Sequence, residues 1–218
     1  MNCLLVAATI MEITPFLEHY KKAEKSSQIG INPDVLISGI GLTASAYSLT
    51  NQIAIKKPDL VIQAGIAGCF DKKIPLGKVV AIKQETIADQ SVVELNSLKS
   101  TLKLKLVPRN QFPYKKGWLI NPDRNLLKKT NLRVVKGVSV NEITTDRRKI
   151  LFYKKEFNPV TESMEGAALH YVCLREKIPF LQIRSISNYI GERNKKKWDM
   201  KASINNLNQE LIRLLKNL

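Results

Sequence analysis

Three short apolar runs, Cys3 to Ala8, Val35 to Ile40 and Leu60 to Ala64, mark the first third of the chain, and an Ala- and Ser-rich stretch, Thr43 to Lys56, joins the second to the third. Runs of this length closed by glycine read as buried strands, and strand, helix, strand with Gly at the turns is the pattern of a parallel βαβ unit. Such a sheet has to be covered by helices on both faces. A short helix over Pro15 to Lys22, after a loop that carries Glu12, is expected to supply part of that cover.

The alternation continues past Gly65-Ile66-Ala67-Gly68, which reads as a turn. Strands are predicted over Leu76 to Ile82, Val134 to Val140, Val160 to Met164 and Phe180 to Ile186, with Glu85 to Val93 extending the sheet. Helices are predicted over Glu165 to Lys177 and Ala202 to Leu215. In the last of them Ile204, Leu207, Leu211, Leu214 and Leu215 fall on one face at the 3.6-residue period, which marks them as core. Glu94 to Asn131 is polar, carries three prolines and has weak periodicity, so it reads as loops, an edge element and a short helix. Nothing suggests a repeat or linker, and one α/β domain is expected over residues 1–218.

A chain of 218 residues can bury roughly 70 % of the surface its unfolded form exposes, so no staple is required. Cys3, Cys69 and Cys173 lie far apart without a CxxC pair, which excludes a disulfide framework and a thiolate metal site and suits a reduced, cytoplasmic protein. His19 and His170 fall in predicted helices with no metal-ligand neighbour at helical spacing, and no metal is expected. The chain opens without the basic leader of a signal peptide, and no apolar run approaches the ~20 residues of a membrane span, so no membrane partner is expected. A net charge of +16 would speed association with anions. Its lysines nevertheless lie in scattered short clusters, such as Lys21-Lys22 and Lys128-Lys129, mostly near helix ends and turns where a cation suits the dipole. No zinc-finger spacing or RNA-binding aromatic motif accompanies them. No nucleic-acid partner is therefore expected; a basic nucleic-acid-binding module is the alternative from another class, and it requires binding that weakens steeply with salt.

Chemistry is expected where strands end. In open parallel sheets ligands bind beyond the carboxyl ends of the strands, which would gather Glu12, Gly65 to Gly68, Met164-Glu165 and Ser187-Asn188 on one rim. Each has a plain structural reading too. Glu12 and Glu165 suit helix starts through the dipole, Asn188 after a Ser at a strand end is a common turn residue, and glycines are frequent in turns for conformational reasons.

Taken in order, Ala7-Ala8-Thr9-Ile10-Met11-Glu12, Gly39-Ile40-Gly41, Pro58-Asp59-Leu60-Val61 through Gly68, Leu76-Gly77-Lys78-Val79-Val80, Met164-Glu165-Gly166-Ala167-Ala168 and Ile186-Ser187-Asn188 match the landmarks of one family. The chain resembles the purine nucleoside phosphorylase and nucleosidase superfamily over nearly its whole length. Thr161-Glu162-Ser163-Met164-Glu165-Gly166-Ala167-Ala168, and Ser187 to Asn194 leading to Trp198, are similar to the variants of those motifs in its futalosine hydrolase branch. The resemblance implies a three-layer αβα sandwich around a central mixed, mostly parallel sheet, assembled as a homodimer. It also implies that the chain needs no cofactor and acts on a small-molecule nucleoside.

By the same resemblance Glu12 polarises the attacking water, a general-base role, and Glu165 binds the ribose hydroxyls and favours the cationic transition state. Met164 packs on the sugar, and Gly65, Ile143 and Ser187 belong to the substrate pocket. Asn188 meets N7 of the purine. Its amide offers an acceptor and two donors, so it can donate to O6 while its oxygen accepts from a protonated N7, whereas a 6-amino group meets its NH₂ head-on. Hypoxanthine is therefore the expected leaving base. Gln63 stands where related phosphorylases carry an Arg for phosphate, and a neutral amide lacks that charge-assisted grip. Water is thus the expected nucleophile. For the aryl carboxylate at the 5′ end of futalosine, Arg193, the following lysines and Arg184 all stay open as partners. The alternative within enzymes is a methylthioadenosine/S-adenosylhomocysteine or aminofutalosine nucleosidase.

Overall fold

The computed structural model describes residues 1–24, 31–94 and 97–218. In chain order the elements are β1 (Cys3–Ala7), α1 (Ile10–Glu24), β2 (Asp34–Ile37), α2 (Leu42–Ile55), β3 (Leu60–Cys69), β4 (Val79–Glu85), β5 (Ser91–Glu94), β6 (Ser97–Ser100), β7 (Leu119–Ile120), α3 (Arg124–Lys129), β8 (Arg133–Ser139), α4 (Arg147–Phe157), β9 (Thr161–Ser163), α5 (Gly166–Glu176), β10 (Phe180–Tyr189) and α6 (Met200–Asn217), with a short 3₁₀ turn at Lys195–Lys197 before the last helix.

The period of two in the strands decides which helices they meet. Along β1, Cys3, Leu5 and Ala7 pack against Ile13 and Phe16 of α1 and the leucines of α6. Leu4 and Val6 point the other way, onto Leu49 and Ile53 of α2 and Leu169 of α5. Every residue of β1 is buried, and each such apolar side chain contributes about 1.5–3 kcal/mol by leaving water.

The sheet is mixed, as expected, but it closes on itself where an open one is expected. β2, β1, β3 and β10 run parallel in that spatial order, but β4 is antiparallel to β10, and β9 is antiparallel to the end of β3. Since β8 pairs in parallel with both β4 and β9, the strands β3, β10, β4, β8 and β9 close into a ring. Closure is possible because β3 and β10 are both ten residues long and stay paired from Val61 with Phe180 to Cys69 with Tyr189. Gly65-Ile66-Ala67-Gly68, expected to be a turn, is the second half of β3, where small residues permit strong coiling.

Three further elements differ from expectation. Ser91 to Glu94 forms a separate hairpin with Ser97 to Ser100 instead of extending the sheet, to which Ile87 contributes a lone bridge with Ser139; residues 95 and 96 lie outside the described part. Helix α4 forms where no helix is expected, capped by Asp146 and burying Tyr153 and Phe157. Finally, α1 begins at Ile10 rather than Pro15, so Glu12 belongs to a helix and not to a loop. Pro15 inside α1 has no N–H to give. Asn208 of α6 repairs the neighbourhood: its Oδ1 accepts from the Phe16 N–H at 3.0 Å and its Nδ2 donates to the Glu12 carbonyl at 2.8 Å. Among the described residues no helix is long and apolar enough to cross a membrane.

Candidate active site

One end of the ring opens into a cavity of about 320 Å³. Thr9 and Glu12, Ile66 to Gly68 of β3, Glu162 of β9, Met164 and Glu165 before α5, and Ser187 and Asn188 of β10 all line it. The exposed side chains of Met11, Ile40, Ile143 and Arg193 mark its open side, beside the half-buried Trp198. Of the residues expected at the site, Glu12, Ile143, Met164, Glu165, Ser187, Asn188 and Arg193 therefore share one cavity. Gly65 does not line it.

Glu12 is held from both sides. The Thr9 backbone N–H donates to its Oε2 at 3.1 Å and the Thr9 hydroxyl at 3.3 Å, half of a capping box that starts α1. From β3 the Ile66 N–H donates to its Oε1 at 3.0 Å. Burial pushes its pKa above the ordinary carboxylate range and the charge of Glu165 adds to that, while Arg184 and the Ile66 and Thr9 N–H donors pull it back. A carboxylate with raised proton affinity at a cavity wall is suited to taking a proton from water.

Glu165 is the N-cap of α5 and makes no side-chain cap bond of its own. Its carboxylate instead reaches across the fold: Oε1 accepts from the Gly41 N–H at 3.4 Å and Oε2 from Arg184 Nη2 at 3.4 Å. Gly41 holds φ at 93°, a conformation open to glycine and strained for other residues, and so presents its N–H there at the start of α2.

Arg184 is 1 % exposed, and its Nη2 also donates to Gln63 Oε1 at 2.8 Å. It is therefore committed beneath the cavity, which removes it as a partner for the far end of a substrate. Gly65 explains how it fits. A Cβ at that position would stand 2.2 Å from Arg184 Nη1 and 2.9 Å from Glu12 Oε1, so the missing side chain makes room for the two charged groups. Gly65, expected to meet ligand, thus lies beneath Glu12 and beside Arg184.

On β10 the register against β3 shifts between Ile186 and Asn188, leaving Ser187 as the bulged residue. Bulges re-aim side chains, and here Ser187 and Asn188 both reach the cavity. The Ser187 hydroxyl lies 2.9 Å from Asn188 Oδ1 and donates to it, which turns the carboxamide so that its NH₂ is the free donor, apart from a long contact of 3.4 Å to the Tyr189 carbonyl. At the open side Arg193 stacks over Trp198 at 5.5 Å, and the indole N–H donates to the Glu192 carbonyl at 3.0 Å. Glu162, to which sequence reasoning assigns no task, is buried and lines the same cavity.

Residues 28–218 match the model of the phosphorylase superfamily. The chain is 27 % identical over 183 residues to the futalosine hydrolase of Thermus thermophilus, covering 83 % of this chain and 80 % of that protein. It is 31 % identical over 160 residues to the 5′-methylthioadenosine/S-adenosylhomocysteine nucleosidase of Haemophilus influenzae, covering 71 % and 67 %. The native structure of futalosine hydrolase of Helicobacter pylori superposes with a TM-score of 0.80 at 19 % identity, over 100 % of this chain and 98 % of that one, which shows the shared fold.

Proposed function

This chain belongs to the phosphorylase superfamily, and we propose that it is an N-glycosyl hydrolase that releases hypoxanthine from futalosine. The observation that carries the choice of base is Asn188, whose oxygen is held by Ser187 while its NH₂ stays free to donate toward a cavity. That donor suits the O6 of a 6-oxopurine and opposes a 6-amino group. A wrongly paired buried polar group costs roughly 1–3 kcal/mol, enough to discriminate between the two.

Hydrolysis builds positive charge on the ribose and negative charge on the departing base. Glu165, anchored by Arg184, would bind the ribose hydroxyls and balance the first charge; Asn188 would meet the second. Glu12 would activate water. Phosphate is disfavoured as nucleophile because Gln63, beside the buried Arg184, is a neutral amide that offers no charge-assisted grip. Trp198 and Arg193 would receive the aryl carboxylate at the 5′ end. The homodimer implied by the family resemblance is supported by Met11, Ile40 and Ile143, exposed apolar residues that a second copy would cover.

The second reading, cleavage of 5′-methylthioadenosine, draws on the similarity to that class of nucleosidase, and Asn188 counts against it. Incubation with futalosine in ¹⁸O-labelled water, with and without phosphate, separates these readings. Hypoxanthine and a sugar labelled at C1′, formed equally without phosphate, are expected. A phosphorylated sugar, or no cleavage of futalosine, would overturn the proposal.

A further inference from the structure

We propose that Glu85 is a positioning residue for Glu165: kept neutral through Gln182 and His170, it leaves the charge of Arg184 to the carboxylate that would grip the ribose. The inference rests on the nucleosidase reading of the cavity and adds to it a group that never touches substrate. Glu85 is the last residue of β4, and two glycines make its slot. A Cβ on Gly166, the neighbour of Glu165, would stand 2.3 Å from Glu85 Oε1, and one on Gly137 of β8 would stand 2.4 Å from the same oxygen. The other carboxyl oxygen accepts from the Ser139 hydroxyl at 3.2 Å, and Ser139 Oγ in turn accepts from the Ala167 N–H at 2.8 Å. The carboxyl is thus tied to the first turn of α5, the turn that Glu165 opens. Arg184 on β10 and Glu165 are both near enough to act on its ionisation.

Three buried side chains decide where the proton sits. His170 Nδ1 lies 2.9 Å from the Leu119 carbonyl, which can only accept, so that nitrogen carries a hydrogen. In a neutral ring Nε2 is then an acceptor, and it is buried without a partner. Gln182, the side chain beside the imidazole, gives its NH₂ to Glu85 Oε1 at 3.0 Å and leaves its own oxygen buried and unpartnered as well. Two such orphans side by side are rare, because each forfeits its hydration. A proton on Glu85 removes both: with the carboxamide turned end for end, Glu85 donates to the Gln182 oxygen and the NH₂ donates to His170 Nε2. The other way to satisfy them is an imidazolium facing an ionised Glu85, which places a cation and a further carboxylate in the interior. Burial opposes that pair, holding His170 down to about 4 and Glu85 up to about 7. Among the described residues, Arg184 on β10, with Glu165 and His170 on the α5 side, are the charged or titratable groups that face the network. Once Glu85 ionises, a second carboxylate competes with Glu165 for Arg184, and the hold on Glu165 slackens.

The test pairs a pH profile with imidazole ¹⁵N NMR on the full chain. Glu85→Gln carries an amide that mimics the protonated acid at every pH, so wild-type kcat/KM for futalosine should fall at least about fivefold relative to the variant between about pH 6.5 and about pH 8.5. A ratio that stays constant, or moves the other way, would overturn the assignment. The spectra locate the proton without substrate and without that variant. The chain has two histidines, told apart by His19→Gln, and His170 should be a neutral ring protonated on Nδ1 at about pH 6. An imidazolium at His170 would equally overturn the assignment, since its counter-ion would be an ionised Glu85. A neutral ring in a chain that cleaves no futalosine at any pH would instead sink the underlying function.

Discussion

Arg184 Nη2 and Glu165 Oε2 face each other at 3.4 Å, with both side chains withdrawn from solvent. The carboxylate proposed to grip the ribose is therefore oriented by a cation sealed beneath the cavity. Breaking a buried pair by removing one partner leaves an uncompensated charge, which typically costs about 3–5 kcal/mol. Arg184→Gln should lower the unfolding free energy by that amount in urea, and Glu165→Gln placed in the same background should restore part of it. A loss below about 1 kcal/mol would mean that the pair is electrostatically idle.

Removing the base should remove a limb of the pH profile. Glu12→Gln is expected to lower kcat by about 10²–10⁴-fold. Because Glu12 acts ionised and its pKa is raised, chiefly by burial, wild-type kcat/KM should fall as pH drops through a value above the ordinary carboxylate range. The residual rate of the variant should lack that fall. An acid limb that survives the substitution would assign the base elsewhere.

Gly65→Ala places a methyl group 2.2 Å from Arg184 Nη1 and 2.9 Å from Glu12 Oε1. Both are side-chain ends, so the fold should give way locally at a cost of about 1–3 kcal/mol. Activity should fall more than the loss of stability explains, since both displaced groups serve the site. Steady-state kinetics well below the melting temperature would reveal this; wild-type kcat there would contradict it.

Glu85 also makes a prediction about stability. It is 1 % exposed, accepts from Gln182 Nε2 at 3.0 Å and from the Ser139 hydroxyl at 3.2 Å, and burial pushes its pKa from 4.5 up to about 7. The fold keeps a proton that the unfolded chain releases, so this contribution is full below the unfolded value and is lost as pH rises through the folded one. The loss amounts to about 3 kcal/mol. Wild type should therefore lose stability relative to Glu85→Gln between about pH 5 and about pH 8. Chemical denaturation of both proteins at the two pH values gives the difference directly, with His170 and Glu162 cancelling; a constant difference would contradict it.

Much of this arrangement was legible because local patterns carried it. The continuous apolar run Cys3 to Ala8 and the leucine face of α6 mark the core, although Ile204 of that face also reaches the cavity. Glu12 is legible as a candidate, and Thr9-Ile10-Met11-Glu12 has the capping-box spacing that announces a helix start rather than the expected loop. Asp146 followed by Tyr153 and Phe157 likewise signalled α4. Ring closure was not legible, since the pairing of Gly68 with Glu162 joins residues far apart in the chain, and no local propensity encodes it. The burial of Arg184 against Glu165 was hidden for the same reason, and so was the task of Gly65, which depends on what lies above it.

The most direct test is competition. Offered equimolar futalosine and aminofutalosine, the enzyme should release hypoxanthine at least about tenfold faster than adenine, the discrimination expected of one mispaired buried donor. Adenine released as fast as hypoxanthine, or faster, would contradict the account.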